Sequence, residues 1–138
     1  MVEPFSIAAA ASSLAALGVT IAYKISRYVK KVKGAPDHLV SIQTQCALVS
    51  AILSQIQRVA IDEESALRSR FLEEPQLVDV VNLVLESVQT AFSVLEKDVA
   101  KLDGRLSVVW NLEDLNERLD LILKQQLGIN TLLQLLQR

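Results

Sequence analysis

Apolar residues recur along most of the chain at alternating spacings of three and four, which is the period of one face of an α-helix. Three prolines and Gly104 divide this pattern into four segments, and we predict helices over about 4–33, 37–72, 76–103 and 111–137. Four amphipathic helices with short connections pack with their apolar stripes at a common centre. The pattern therefore predicts an all-α fold, an antiparallel four-helix bundle with a long N-terminal helix.

The first segment has a defined start and stop. Pro4 suits the first helical position because its missing N–H has no intrahelical partner there. Gly34 and Pro36 predict a C-terminal glycine cap followed by a proline stop. The stripe between these signals consists of Ile7, Leu14, Gly18, Ile21, Ile25, Tyr28 and Val32.

The second segment is interrupted by acidic residues at 62–64, after which Leu67 and Phe71 resume its stripe. We therefore expect either a kink or an extra short helix near 61–72. Pro75 ends the segment because proline disfavours α conformation in the residue before it. The stripe up to the interruption consists of Leu39, Ile42, Cys46, Val49, Leu53, Ile56 and Ala60.

The last two segments keep helical spacing. The fourth has the clearest start, because Asn111 can cap the helix while Trp110 and Leu115 form a hydrophobic staple. The third stripe consists of Leu77, Val81, Val84, Val88, Phe92, Leu95, Val99 and Leu102, and Gly104 closes it. The fourth stripe consists of Leu112, Leu115, Leu119, Ile122, Gln126, Ile129, Leu133 and Leu136.

Composition sharpens this prediction. A length of 138 residues fits a single domain over 1–138. Apolar residues make up 51% of the chain but aromatics only 4%, so the core must be built from Leu, Val, Ile and Ala. Cys46 is the only cysteine, which rules out an intramolecular disulfide and favours a reduced, intracellular setting.

Charge is divided unevenly between the first segment and the rest. Residues 1–36 hold five basic residues and one acidic residue, whereas 37–138 hold nine basic and fifteen acidic residues. The basic residues follow the apolar stretch, which is the reverse of a secretory signal. They are Lys24, Arg27, Lys30, Lys31 and Lys33, and we predict that they contact anionic lipid.

The stretch from Phe5 to Tyr23 is nineteen residues without a formal charge. As a helix it would be about 28 Å long, close to the thickness of a bilayer core of about 30 Å. Six residues favour insertion by roughly 2 to 4 kcal/mol together, while serines, Thr20 and Gly18 oppose it. The six form our candidate membrane-active helix: Phe5, Ile7, Leu14, Leu17, Val19 and Ile21.

A purely structural interpretation of the same stretch stays open. An Ala-rich apolar helix is also what the centre of a soluble bundle requires, and the lysines would then be a solvated face. Each basic residue near an anionic leaflet contributes about 1 kcal/mol to membrane binding, so that five contribute up to about 5 kcal/mol. This contribution favours the membrane interpretation. Tyr23 and Tyr28 also lie where interfacial aromatics would sit.

The sequence contains no recognisable set of catalytic residues. His38 and Cys46 are the only residues of their types, and a buried cysteine with a surface histidine is the simpler interpretation. There is no glycine-rich phosphate loop, and the acidic clusters at 62–64 and 73–74 resemble solvated helix ends. We predict no enzyme activity, no catalytic residues, no cofactor, no metal site and no small-molecule substrate. The small basic patch lacks interleaved aromatics, which argues against nucleic acid.

Several short stretches resemble a known family. They are the opening Glu3-Pro4-Phe5-Ser6-Ile7-Ala8-Ala9, the Ala/Ser/Leu-rich helix, the basic tail ending Lys33-Gly34-Ala35-Pro36, the Trp110 region and the close Leu132-Leu133-Gln134-Leu135-Leu136. Together they resemble the fungal HeLo-like domain found at the N-terminus of STAND or NOD-like receptors. The resemblance covers nearly the whole chain.

The resemblance implies a helical effector of regulated cell death in fungal incompatibility and innate immunity, similar to the four-helix executioner domain of the mixed-lineage kinase-like pseudokinase. It further implies that receptor regions lie downstream, that oligomerisation activates the domain, and that Pro4–Tyr23 acts on membranes. We therefore expect a cytoplasmic protein that moves to the plasma membrane, with anionic lipids and homologous helical domains as partners. The alternative is a homotypic or adaptor interaction module without membrane activity.

Overall fold

The structure is a computed structural model that describes residues 4–102 and 112–138 of the chain. Helices make up 91% of these residues, which include no strand, so the prediction of an all-α fold is confirmed. The five helices among them are α1 (Pro4–Lys31), α2 (Asp37–Asp62), α3 (Glu64–Glu73), α4 (Pro75–Ala100) and α5 (Leu112–Leu136).

Helix α1 buries the stripe that its sequence predicts. Every member from Ile7 to Tyr28 is buried, and Val32 is half-buried just beyond the helix. The helix ends at Lys31, two residues before the predicted end, and Gly34 adopts the left-handed backbone with φ of 81°. This conformation costs a glycine little, because it has no Cβ. The connection to α2 is therefore short and turned sharply by Gly34.

The interruption of the second segment is a helix boundary. Of the two predicted alternatives the structure contains the extra short helix, α3, and a single continuous helix over 37–72 is wrong. Glu63 leaves the helical conformation, with φ of −110° and ψ of 31°, while its N–H still donates to the Val59 carbonyl at 2.9 Å. Leu67 and Phe71 of α3 are buried, as the resumed stripe predicts.

Helix α4 starts at Pro75 itself, so proline takes the first helical position again. It ends at Ala100, earlier than the predicted 103. Its buried side chains include the predicted ones, except that Leu85 is buried where Val84 is only half-buried. The predicted stop at Gly104 lies outside the described residues.

Helix α5 ends at Leu136, one residue before the predicted end, and the predicted start with its cap Asn111 and staple residue Trp110 lies outside the described residues. Leu115, Ile122, Ile129, Leu133 and Leu136 are buried as the stripe predicts. Two further residues share the buried face, Leu132 and the polar Gln125.

The four long helices contact one another in a ring, α1 on α2, α2 on α5, α5 on α4 and α4 on α1. The contact between α1 and α2 is by far the most extensive. Gly18 explains the close approach, because a Cβ there would overlap Ser50 Oγ of α2 and lie 2.8 Å from Phe92 Cζ of α4. Any Cβ at this position would require the Ser50 and Phe92 side chains to shift.

Candidate functional site

The inner face of α1 holds half of the predicted membrane-active residues. Ile7 and Ile21 are each 1% exposed and Leu14 is 7% exposed, so all three belong to the hydrophobic core. Small buried residues, Ala8, Ala11 and Ala15, lie beside them and bring the helix close to its neighbours. In this structure α1 is an integral part of the bundle.

The outer face of α1 holds the other predicted residues. Phe5 is 55% exposed and Val19 is 59% exposed, while Leu17 is half-buried. No charged side chain occurs on this face between Pro4 and Tyr23. It consists of Phe5, Ser6, Ala9, Ser12, Ser13, Ala16, Val19, Thr20 and Tyr23. We call it the uncharged face of α1.

The basic residues follow the uncharged face along the same helix. Arg27, Lys30, Lys31 and Lys33 are exposed, and Lys24 is half-buried. The Arg27 guanidinium carbon lies 5.8 Å from the centroid of the Tyr23 ring, within the range of a cation–π contact. Among the described residues, none of the five basic residues forms an ion pair. We call this group the cationic end of α1.

Two basic residues that the sequence analysis missed lie at the same end of the molecule. A small cavity there is lined by Ile25 of α1, Leu39 of α2, Leu95 of α4 and Leu115 of α5. Lys97 and Lys101, both exposed, belong to the end of α4 that reaches this cavity, together with Glu96 and Asp98. Sequence spacing offers no signal for this, because about seventy residues separate them from Arg27.

A nearby ion pair joins α4 to α5. Arg118 Nε donates to Asp98 Oδ2 at 2.6 Å, and both side chains are about three-quarters buried. The hydrogen bond to Asp98 raises the pKa of the Arg118 guanidinium. Asp98 is thus engaged in an ion pair within the fold.

Cys46 and His38 have the surroundings of structural residues. Cys46 is 0% exposed, and burial raises the pKa of its thiol to about 12, so the nucleophilic thiolate is disfavoured near neutral pH. His38 is half-buried at the start of α2. The described residues contain no group of His, Cys, Asp and Glu able to hold a metal ion.

The acidic clusters occupy helix ends. Asp62 and Glu63 are exposed at the junction of α2 and α3, and Glu73 and Glu74 are exposed at the junction of α3 and α4. This is the placement that the sequence predicted. Their carboxylates interact locally, for example Glu74 Oε2 with Arg70 Nε at 3.7 Å.

Three of the described helices, α1, α2 and α4, are long and apolar enough to cross a membrane. Helix α1 has the highest mean hydropathy of the three. Length and composition thus mark α1 as the strongest candidate for lipid contact, and they extend the same property to two helices that the sequence analysis did not consider, α2 and α4.

No protein-family model, curated protein or solved structure matches this chain. The chemical character of α1 therefore carries the functional argument.

Proposed function

We propose that this chain is a membrane-targeting effector domain whose N-terminal helix, α1, acts on anionic membranes after oligomerisation. The observation that carries the proposal is the cationic end of α1, which has no acidic partner among the described residues. It adjoins a helix face that carries no charge. This combination matches an anionic headgroup region above an apolar interior.

Burial of α1 bears on how such a domain is controlled. Ile7, Ile21 and Ile25 are almost fully buried, and transfer of such side chains to water costs about 1.5 to 3 kcal/mol each. Release of α1 into solution is therefore unfavourable, while release into lipid preserves an apolar environment. Clustering several copies at a membrane adds multivalent contacts that one copy lacks.

The directions in which the helices run are part of the same proposal. We propose an antiparallel four-helix bundle in which consecutive long helices run in opposite directions, with α3 as a connector. The cavity at the cationic end supports it, because residues from late in α1 and α4 and early in α2 and α5 line it together. A role in fungal cell death, downstream receptor regions and movement from cytoplasm to plasma membrane rest on the HeLo-like resemblance. On this proposal the domain is not an enzyme.

Vesicle co-sedimentation and dye leakage test the proposal with a matched pair of variants. The first variant replaces Arg27, Lys30, Lys31 and Lys33 by glutamine, which removes the four exposed charges of the cationic end. The control replaces four exposed basic residues elsewhere by glutamine and so changes the net charge by the same amount. These residues are Arg58, Arg68, Lys124 and Arg138. Both are compared with the unchanged chain, clustered through a fused coiled coil.

We expect the unchanged chain and the control to sediment with phosphatidylserine-containing vesicles and to release dye. The first variant should bind at least tenfold more weakly, because about 1 kcal/mol is lost for each of four basic residues. Binding should also weaken at high salt, which screens these charges. Equal binding by both variants, or none by the clustered unchanged chain, would refute the proposal.

A second candidate function, a protein-interaction module, is favoured by exposed leucines far from the cationic end. Leu72 is 63%, Leu83 66% and Leu127 72% exposed, and each lies on a helix face that a partner helix could cover. Replacing Leu83 and Leu127 by serine should abolish self-association in analytical ultracentrifugation if this function holds. Lipid binding would then be absent in the parent chain as well.

A further inference from the structure

The unequal packing of α1 suggests which part of the bundle moves. Helix α1 packs far more extensively on α2 than on α4, and α2 packs more extensively on α1 than on α5. Removing α1 alone would break the largest interface in the molecule. Separating α1 and α2 together from α4 and α5 would break only the smaller interfaces.

Helix α2 shares the feature that makes α1 suitable for lipid. Residues 39–57 of α2 are nineteen residues without Asp, Glu, Lys or Arg, the same length as the uncharged stretch 5–23 of α1. The charged residues of the pair lie mainly between these two stretches, in the cationic end and at Asp37. In α4, by contrast, Asp79, Glu86 and Glu96 are spread along the helix.

Unpartnered polar atoms on α2 weaken the closed arrangement. Among the described residues, Ser50 Oγ and Gln45 Oε1 are buried without a hydrogen-bond partner. Ser50 lies beside Gly18, where Phe92 of α4 meets the α1–α2 pair. A buried polar group without a partner is destabilising, and opening at a hydrated lipid interface would supply one.

We propose that the element this domain opens onto an anionic lipid surface is the α1–α2 hairpin, which separates from α4 and α5 as one unit. This inference rests on the proposed function and adds α2 to the membrane-binding element. The basic connection of the hairpin lies on the headgroups, and its newly exposed face turns toward the acyl chains. That face includes Ile25, Leu39 and Ile42. In the closed bundle these residues line the small cavity together with Leu95 and Leu115.

Distances between pairs of spin labels, measured by double electron–electron resonance, test this directly. Cysteines are introduced in pairs into a Cys46→Ala background at positions that are exposed, so that folding is little disturbed. Thr20→Cys with Ala47→Cys reports on α1 and α2. Thr20→Cys with Gln89→Cys reports on α1 and α4, and Ala47→Cys with Lys124→Cys reports on α2 and α5. Far-UV circular dichroism checks that each labelled chain is folded.

With clustered protein on phosphatidylserine-containing vesicles, we expect the α1–α2 distance to be unchanged. The α1–α4 and α2–α5 distances should both lengthen by more than a helix diameter, about 10 Å. No distance should change with phosphatidylcholine alone.

Each other outcome overturns the inference in a recognisable way. A longer α1–α2 distance would mean that α1 leaves alone. Three unchanged distances in sedimented protein would mean that the closed bundle binds, and in both cases the proposed membrane function survives. A chain that neither sediments nor releases dye would remove the proposed function itself.

Discussion

The α1–α2 pair and the α4–α5 pair bury apolar stripes of the same kind but differ in their polar groups. The first pair has uncharged stretches in both helices and a close contact at Gly18, and no ion pair links its helices among the described residues. The second pair is joined by the Asp98–Arg118 ion pair, and Arg70 of α3 donates to the Leu136 carbonyl at 3.3 Å.

The two pairs therefore differ in what a transfer from water to an apolar medium would cost them. Shape complementarity between small residues depends little on water, since it needs only close contact. Charged side chains spread along α4 and α5 require water or a partner, because transfer of a charge to an apolar medium is costly. On the proposed function, α1 and α2 would therefore exchange into lipid while α4 and α5 stay hydrated.

The largest expected effect concerns Cys46 in α2. Its folded pKa of about 12 lies above the ordinary value of 9.0, so the unfolded chain loses this proton first as pH rises. The stability associated with the protonated thiol is complete below pH 9 and should fall by about 1.4 kcal/mol per pH unit above it, until the folded pKa is reached. Urea denaturation from pH 8 to 11 measures this.

The control for this experiment is Cys46→Ala, which lacks the titrating thiol. The difference in unfolding free energy between the two chains isolates Cys46, because lysine and tyrosine titrations are common to both. A difference that stays constant with pH would contradict the assignment of Cys46 to a closed core.

A smaller change in stability is expected from replacing one glycine in each pair of helices by alanine. Gly18→Ala should destabilise the protein by about 1 to 3 kcal/mol, because the new methyl overlaps Ser50 and crowds Phe92. Gly128→Ala in α5 should stabilise it by roughly 0.5 to 1 kcal/mol, because its Cβ would meet no atom within 4 Å and alanine favours helix. Thermal denaturation compares them, and stabilisation by Gly18→Ala would contradict the close α1–α2 contact.

The smallest changes in unfolding free energy are expected from replacing one polar group in each pair of helices. The two changes should have opposite signs. Ser50→Ala removes an unpartnered buried hydroxyl and should stabilise the closed bundle by up to about 1 kcal/mol. Asp98→Asn weakens a partly buried ion pair and should cost about 1 kcal/mol. If Ser50→Ala is destabilising in urea denaturation, the hydroxyl has a partner and the polar contrast between the pairs is lost.

Much of the fold was predictable from local patterns. The stripe of α1, the proline that begins it, and the acidic interruption that became the α2–α3 boundary were all visible in sequence, whereas Pro75 indicated the end of the second segment and not the start of α4. Helix ends were predicted less well, by one to three residues. The final turns depend on contacts with other helices as well as on the capping residue.

The candidate site was predicted as residues of one helix, but its division into two faces was not. Phe5 and Val19 lie outside while Ile7 and Ile21 lie in the core, although all four were grouped by hydrophobicity. The placement of Lys97 and Lys101 at the same end of the molecule as Ile25 was missed because it depends on where α4 ends in space. The burial of Ser50 without a partner had no sequence signal either.

By itself, the sequence determined the helices, their inward stripes and the concentration of positive charge after α1, because helical period, helix breakers and charge are local properties of neighbouring residues. Only the tertiary structure decided that α1 packs chiefly on α2 and that α1 meets two other helices at Gly18. These features arise where residues distant in sequence pack against one another, and the spacing of residues along the chain does not encode those contacts.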